Sequence, residues 1–242
     1  MIGAPTANAG AVPVQAYART GGVLFLITLF AGSFGEFYVP SMLVVAGDAT
    51  ATARNVVGSE WLFRLGFAGY LVEAMCDIGL TWVLYLLLRP VREDLALLAA
   101  FFRLVSTAVF ATAELFYYAP LLLLGGAGFL KSFSPDQLNA LALHSFRMYG
   151  HGGGIFMVFY GVPSMMLGYL IFRSGYLPKF LGVLLALSGV GFVVRNFLLV
   201  LGPAYASSLL LIPAPVAALA MTVWLLAKGV DVAKWRERTL PT

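Results

Sequence analysis

The sequence is short of charge, of cysteine and of histidine. Of 242 residues, 15 are Lys or Arg and 11 are Asp or Glu, together 11% of the chain. A soluble domain carries about 25%. The only cysteine, Cys76, lies in an apolar run, so no internal disulfide is available and the redox compartment is unread. No Gly-x-Ser-x-Gly is present, which argues against a serine hydrolase. Phosphate-loop, dinucleotide and haem-attachment motifs are missing as well. The first 18 residues hold no Lys or Arg and so lack the basic start of a secretory signal, although the small residues Ala31-Gly32-Ser33 keep a cleavage site open.

What the chain has instead is apolar length. Hydrophobic residues make up 61% and the mean hydropathy is +0.91. A globule of roughly 200 residues leaves much of its surface in water and cannot hide that composition. A soluble enzyme, a disordered chain and a disulfide scaffold are excluded, and the chain reads as an integral membrane protein. The net charge of +4 is a topology signal, with no reason to expect nucleic acid as a partner.

A spanning helix needs about 20 mainly apolar residues. Six segments qualify, at 18–39, 60–88, 95–124, 147–172, 179–201 and 207–228. The runs are long and unbroken, unlike the alternating strands of a barrel. The fold class is therefore all-α, a polytopic bundle of six transmembrane helices with short outer helices. The spans are bracketed by an N-terminal tail over 1–17 and a basic tail over 230–242, with the membrane domain at 18–229. Arg19, Arg89, Arg92, Arg173, Lys179, Lys228, Lys234, Arg236 and Arg238 fall on one side, against Arg54 and Lys131 on the other. This bias places both termini in the cytoplasm.

The turns carry their own signals. Arg89-Pro90 stops the second span, and Glu93 and Asp94 suit the positive start of the third. Arg173 to Pro178 is a glycine stop and proline restart. These two hairpins look alike, which fits either a duplicated unit or chance in a Leu/Ala/Gly-rich chain. Asp48 to Val57 reads as a short outer helix. Ser134-Pro135-Asp136-Gln137 reads as a capping box with proline at the first helical position. Unbroken helix from there to Phe172 would run about 60 Å, twice the hydrocarbon thickness. A break or strong bend is expected at Gly150-His151-Gly152-Gly153-Gly154, leaving 135–149 as a separate helix. That glycine run reads either as close helix packing or as an unwound stretch offering backbone to a ligand. Pro163, Pro213 and Pro215 are expected to kink their helices.

Several strings have a familiar order: Phe34-Gly35-Glu36-Phe37, Leu62-Phe63-Arg64-Leu65-Gly66-Phe67, Cys76-Asp77-Ile78, Tyr85 to Val91, and Arg173-Ser174-Gly175-Tyr176-Leu177-Pro178 running into Leu181-Gly182-Val183-Leu184-Leu185. The chain resembles the bacterial membrane family catalogued as domain of unknown function 4386, over about residues 17–229. The resemblance implies a polytopic bacterial membrane protein. It carries no activity and no catalytic residues.

Ionisable residues inside spans are the informative ones, because a charge at the bilayer centre costs at least about 2.5–3.5 kcal/mol. Four acids (Glu36, Glu73, Asp77, Glu114) face four arginines (Arg64, Arg103, Arg147, Arg195), and His144 and His151 join them. Counting from the turns puts Asp77 level with Arg103 and Glu36 level with Arg64, so these are expected as structural ion pairs. Glu73, Glu114, His144, Arg147, His151 and Arg195 are the ligand-binding candidates, with Glu114 expected to meet Arg147 or Arg195. Helical spacing puts Arg103, Thr107 and Glu114 on one stripe and His144, Arg147 and His151 on another. Phe116-Tyr117-Tyr118 is assigned to the outer interfacial belt. A metal is not expected. The alternative set of His144, His151 and Glu114 is crowded by arginine, no His-Glu-x-x-His is present, and bis-histidine haem would draw both ligands from one helix. No cofactor is expected.

The leading functional reading is an outward-facing polar cavity that binds or passes a small charged ligand. The negative part would go to Arg147 and Arg195, and a proton or amine to Glu73 and Glu114. An intramembrane enzyme, metal-dependent in one version, and an accessory subunit with a membrane-protein partner are the alternatives. Besides such partners, the lipid bilayer itself is the expected surround, with the basic tail as an anchor on anionic lipid.

Overall fold

The structure, a computed structural model, describes residues 13–239. Residues 1–12 and 240–242, the outer parts of the two tails read from the sequence, lie outside the described residues. Every regular element among the described residues is helical. Six helices are long and apolar enough to cross a membrane. That uniformity follows from the solvent, since hydrocarbon offers no partners for backbone N–H and C=O and a helix satisfies them internally. Large apolar side chains such as Met75, Trp82, Leu115 and Val223 are exposed, as lipid contact requires.

The first span runs over Val14–Leu43. It consists of α1 (Val14–Gly32), a π-helical segment Ser33–Tyr38 and α2 (Val39–Leu43). The outer helix α3 (Ala49–Gly58) follows, capped by Asp48, whose carboxylate accepts from Ala51 N–H at 2.8 Å. Then come α4 (Glu60–Leu88), α5 (Glu93–Leu124), α6 (Pro135–Ser174) and α7 (Lys179–Leu201). A 3₁₀ turn at Ser208–Leu211 leads into α8 (Pro213–Ala227), and α9 (Val232–Thr239) is the last described element.

The capping box at α6 is present: Ser134 N–H donates to Gln137 Oε1 at 2.8 Å, and Gln137 N–H to Ser134 Oγ at 3.2 Å. The helix ends at Gly175, whose φ of 77° lies in the left-handed region that glycine alone adopts freely.

Two local expectations are corrected. Helix α6 does not break at Gly150–Gly154; its 40 residues run as one helix of about 60 Å. The glycines serve contact instead: a Cβ on Gly152 would stand 2.7 Å from the Ala113 Cβ, and one on Gly154 3.3 Å from Asn196 Oδ1. Pro213 opens α8 at its first position, where a missing N–H costs nothing, so it starts this helix and does not kink it. The described part of the C-terminal tail packs against the bundle. Trp235 in α9 is buried and donates through its indole N–H to Leu87 O at 3.1 Å.

That contact belongs to a stitched end of the bundle. Tyr176 Oη donates to the same Leu87 O at 2.7 Å, and Asp231 N–H to Tyr176 O at 3.1 Å. Gln15 Nε2 donates to Lys228 O at 2.8 Å, while its Oε1 accepts from Val230 N–H at 3.1 Å. The first span and the chain's last described turn therefore share one end, which also holds Arg89, Arg92 and Arg173. At that end the Lys234 backbone N–H, with its ammonium beyond, holds the Asp231 carboxyl below the usual carboxylate range.

Two apolar clusters fill the interior. One, at the stitched end, is built on Phe25, Leu80, Leu84, Leu87, Leu170 and Trp235. The other, toward the opposite end, is built on Val39, Phe63, Tyr70, Phe110 and Tyr117. In the four spans that reach both clusters, polar residues lie at the switch from one to the other: Thr28 in α1, Glu73 and Asp77 in α4, Arg103 and Thr107 in α5, Tyr160 and Ser164 in α6. The bundle thus has a polar belt between two apolar caps.

Helices α6 and α7 lock beside it through glycines. A Cβ on Gly168 would lie 2.6 Å from Gly182 O, and one on Gly161 2.7 Å from Gly189 O. Bare backbone on both sides lets the helices touch.

Candidate functional site

Asp77 and Arg103 meet in the belt. Arg103 Nη2 donates to Asp77 Oδ1, its Nε donates to Thr81 Oγ1 at 3.0 Å, and Thr107 Oγ1 donates to Asp77 Oδ2 at 2.8 Å. The two side chains are 14% and 3% exposed, respectively. The guanidinium also lies 4.9 Å from the centre of the Tyr160 ring. The arrangement satisfies most of what an interior ion pair requires, with both partners hydrogen-bonded.

Glu36 and Arg64 do not meet. Arg64 lies exposed near the start of α4 and bonds its own helix, Nε to Glu60 Oε1 at 2.8 Å, with Nη1 donating to Tyr118 Oη at 3.2 Å. A partner one helical turn away on the same face is closer than one on another span. Glu36 faces inward with Glu73. The π-helical stretch around Glu36 shifts the register of the first span by a residue, a distortion that recurs at functional sites.

Glu73 presses against the first span: a Cβ on Gly32 would lie 2.9 Å from both of its carboxylate oxygens. Glu73 Oε2 is buried without a hydrogen-bond partner. Glu114 is 3% exposed and neither of its oxygens has a partner. The expected contact of Glu114 with Arg147 or Arg195 is absent. Among the described residues, none of Glu36, Glu73 and Glu114 enters an ion pair.

The reason is the face each residue occupies. His144, Arg147 and His151 share a stripe of α6, but that stripe is exposed. The inward stripe of α6 runs through Ala142, Ser145, Tyr149, Phe156 and Tyr160. Arg147 and His151 line a different space, a largely apolar groove of about 520 Å³ between α6 and α7, with Asn196 and Val200. Arg195 is half-buried, its Nε without a partner. The metal alternative falls with the same geometry: no cluster of three His, Cys, Asp or Glu forms a metal-binding set among the described residues. His144 and His151 lie exposed on α6 while Glu114 is buried on α5.

The belt lines a partly open cavity of about 160 Å³. Its polar lining is Thr28, Glu36, Glu73, Asp77 and Thr107. Its aromatic lining is Phe110, Phe156, Tyr160 and Phe192. Toward the cap opposite the stitched end, Tyr149 Oη donates to Tyr70 Oη at 2.8 Å, and Tyr70 and Tyr117 pack edge to face at 4.9 Å. Tyr117 is fully buried, so only its neighbours in Phe116-Tyr117-Tyr118 are available to an interfacial belt. This tyrosine cluster and the aromatic lining were not singled out from the sequence. A signal exists: Arg103, Thr107, Phe110, Glu114 and Tyr117 alternate by four and three, one continuous inward stripe of α5.

The model of the family described as Domain of unknown function (DUF4386) matches residues 20–229. An uncharacterised protein of Archaeoglobus fulgidus is 27% identical over 130 residues, which are 54% of this chain and 64% of that protein's length. No solved structure matches the chain.

Proposed function

The chain belongs to the DUF4386 family, whose description names no activity, and from its own geometry we propose that it binds a small positively charged species in the belt cavity and passes it across the membrane. One observation carries this reading. Glu36, Glu73 and Glu114 are enclosed in a spanning bundle with no cationic side chain paired to them, while the belt's one arginine, Arg103, is taken by Asp77. A carboxylate at membrane depth needs a counter-charge or a proton. The protein supplies neither through its own ion pairs, so an exchangeable proton or a bound cation is what balances the site.

The polarity of the ligand is therefore narrowed. An anion would need Arg147 or Arg195, and neither lines this cavity. The remaining titratable groups around it are Asp77 with Arg103 and the hydroxyls of Tyr70, Tyr117, Tyr149 and Tyr160, none of which is a free positive charge. The membrane is the bacterial inner membrane in this reading, with both termini and the stitched, basic end cytoplasmic.

Proteoliposomes on a solid-supported membrane, given concentration jumps of protons, sodium or methylammonium, test it. The expected result is a transient current for at least one cation, lost in Glu73→Gln at unchanged thermal stability. Absence of any current from folded protein, or a current unchanged when Glu36, Glu73 and Glu114 are all converted to Gln, overturns the proposal.

A further inference from the structure

We infer that the species taken by the belt cavity is a small organic ammonium of about six heavy atoms, its charge set between Glu36 and Glu73 and its carbon part against an aromatic wall. This rests on the cation reading above and goes further by naming the chemical class.

Size is the first argument. The cavity holds about 160 Å³. An apolar cavity of about 150 Å³ accommodates benzene, so the space suits about six heavy atoms and exceeds what a proton or one bare metal ion needs.

The wall is the second. Phe110 and Phe156 lie 4.8 Å apart between ring centres, Phe156 and Tyr160 5.4 Å, and Tyr160 and Phe192 5.9 Å. Four rings from three helices thus form one continuous surface on the side of the cavity away from the first span. Ring faces attract ammonium groups, most strongly where water is excluded. The wall already holds one cation, since Arg103 sits over Tyr160 at 4.9 Å.

The third argument is the unpartnered acid. Glu73 lines the cavity, and its Oε2 is buried with no hydrogen-bond donor. Glu114, 3% exposed and with both oxygens unpartnered, lies one helical turn beyond the wall residue Phe110 and does not itself line the cavity. The positive charge of an ammonium, quaternary or protonated, supplies the counter-charge that Glu73 lacks at the cavity wall. An inorganic metal fits less well, because the acids do not converge as a metal-binding set among the described residues.

Isothermal titration of the full chain in nanodiscs gives the test. The probes are sodium, methylammonium, tetramethylammonium, choline and tetrapropylammonium, with tert-butanol as a neutral match for tetramethylammonium. Affinity should rise from methylammonium to tetramethylammonium or choline and be lost for tetrapropylammonium, with no binding of tert-butanol. Phe156→Leu, which keeps apolar bulk but removes the ring, should weaken tetramethylammonium about fivefold in protein that still unfolds cooperatively. The size series uses the unmodified protein, so it stands even where a variant fails to fold. Sodium binding without ammonium binding overturns this inference and leaves the cation reading intact. Silence from every cation overturns both. Equal affinity for tert-butanol and tetramethylammonium overturns the role assigned to charge.

Discussion

Removing one partner of the Asp77–Arg103 pair should be among the most damaging single changes in the bundle. Asp77→Asn keeps the shape and the Thr107 contact but leaves the guanidinium of Arg103, 3% exposed, without a counter-charge. Breaking a buried pair in this way costs about 3–5 kcal/mol, most of it the uncompensated charge. Arg103→Gln should fall at the lower end of that range, because Asp77 is more exposed, keeps the Thr107 hydroxyl and borders the cavity. In the double variant neither charge remains, so the combined loss should fall short of the sum by about 2–3 kcal/mol. The assay is denaturant unfolding in detergent micelles, followed by tryptophan fluorescence on all four proteins. A coupling energy within about 0.5 kcal/mol of zero would refute the pairing as an energetic unit.

Other consequences follow from single contacts. Gly182→Val should destabilise by about 1–3 kcal/mol or more, because a Cβ there would stand 2.7 Å from the Phe172 backbone nitrogen; Gly153→Ala, with nothing within 4 Å, should be neutral or gain up to about 1 kcal/mol, and thermal unfolding compares the two. Trp235→Ala should cost about 3–5 kcal/mol in the same assay if α9 is part of the packed end, whereas a loose tail predicts no change. Arg64→Gln should leave the unfolding midpoint unchanged, since its partner Glu60 is exposed and one turn away. Reporter fusions within 126–134 and after residue 239 should read opposite sides of the membrane, and the same side from both would overturn the assigned topology.

The spans were legible because hydropathy is a property of long windows, and a 20-residue apolar run has few alternatives. The turns were legible where a residue has one physical use: Gly175 as a left-handed stop, Ser134 with Gln137 as a reciprocal cap. What the sequence hid was rotation. Depth counting placed Asp77 level with Arg103, and on α4 and α5 the acid and base stripes face each other. The same counting placed Glu36 level with Arg64 and Glu114 level with Arg147, yet these side chains point to different sides of their helices. Two residues of offset on α6, from Ser145 to Arg147, turn a side chain by about 200°, from the interior to the surface. The π-helical segment around Glu36, where Gly32 and Gly35 lie close against α4, is equally invisible in the sequence. The glycine run of α6 misled for a related reason: in lipid, an unwound stretch leaves backbone groups unpaired, so close packing keeps the helix whole.

The central claim is that Glu36 and Glu73, the unpaired acids lining the belt cavity, hold an exchangeable positive charge that no side chain of the bundle provides. Proton release on cation binding measures this directly, in lightly buffered nanodisc samples with a pH-sensitive dye. Tetramethylammonium or another bound cation should displace protons from the folded protein, and the release should disappear in the Glu36→Gln, Glu73→Gln double variant. Cation binding with no proton release in any buffer between pH 5 and 9, or release that persists undiminished in the double variant, would contradict it.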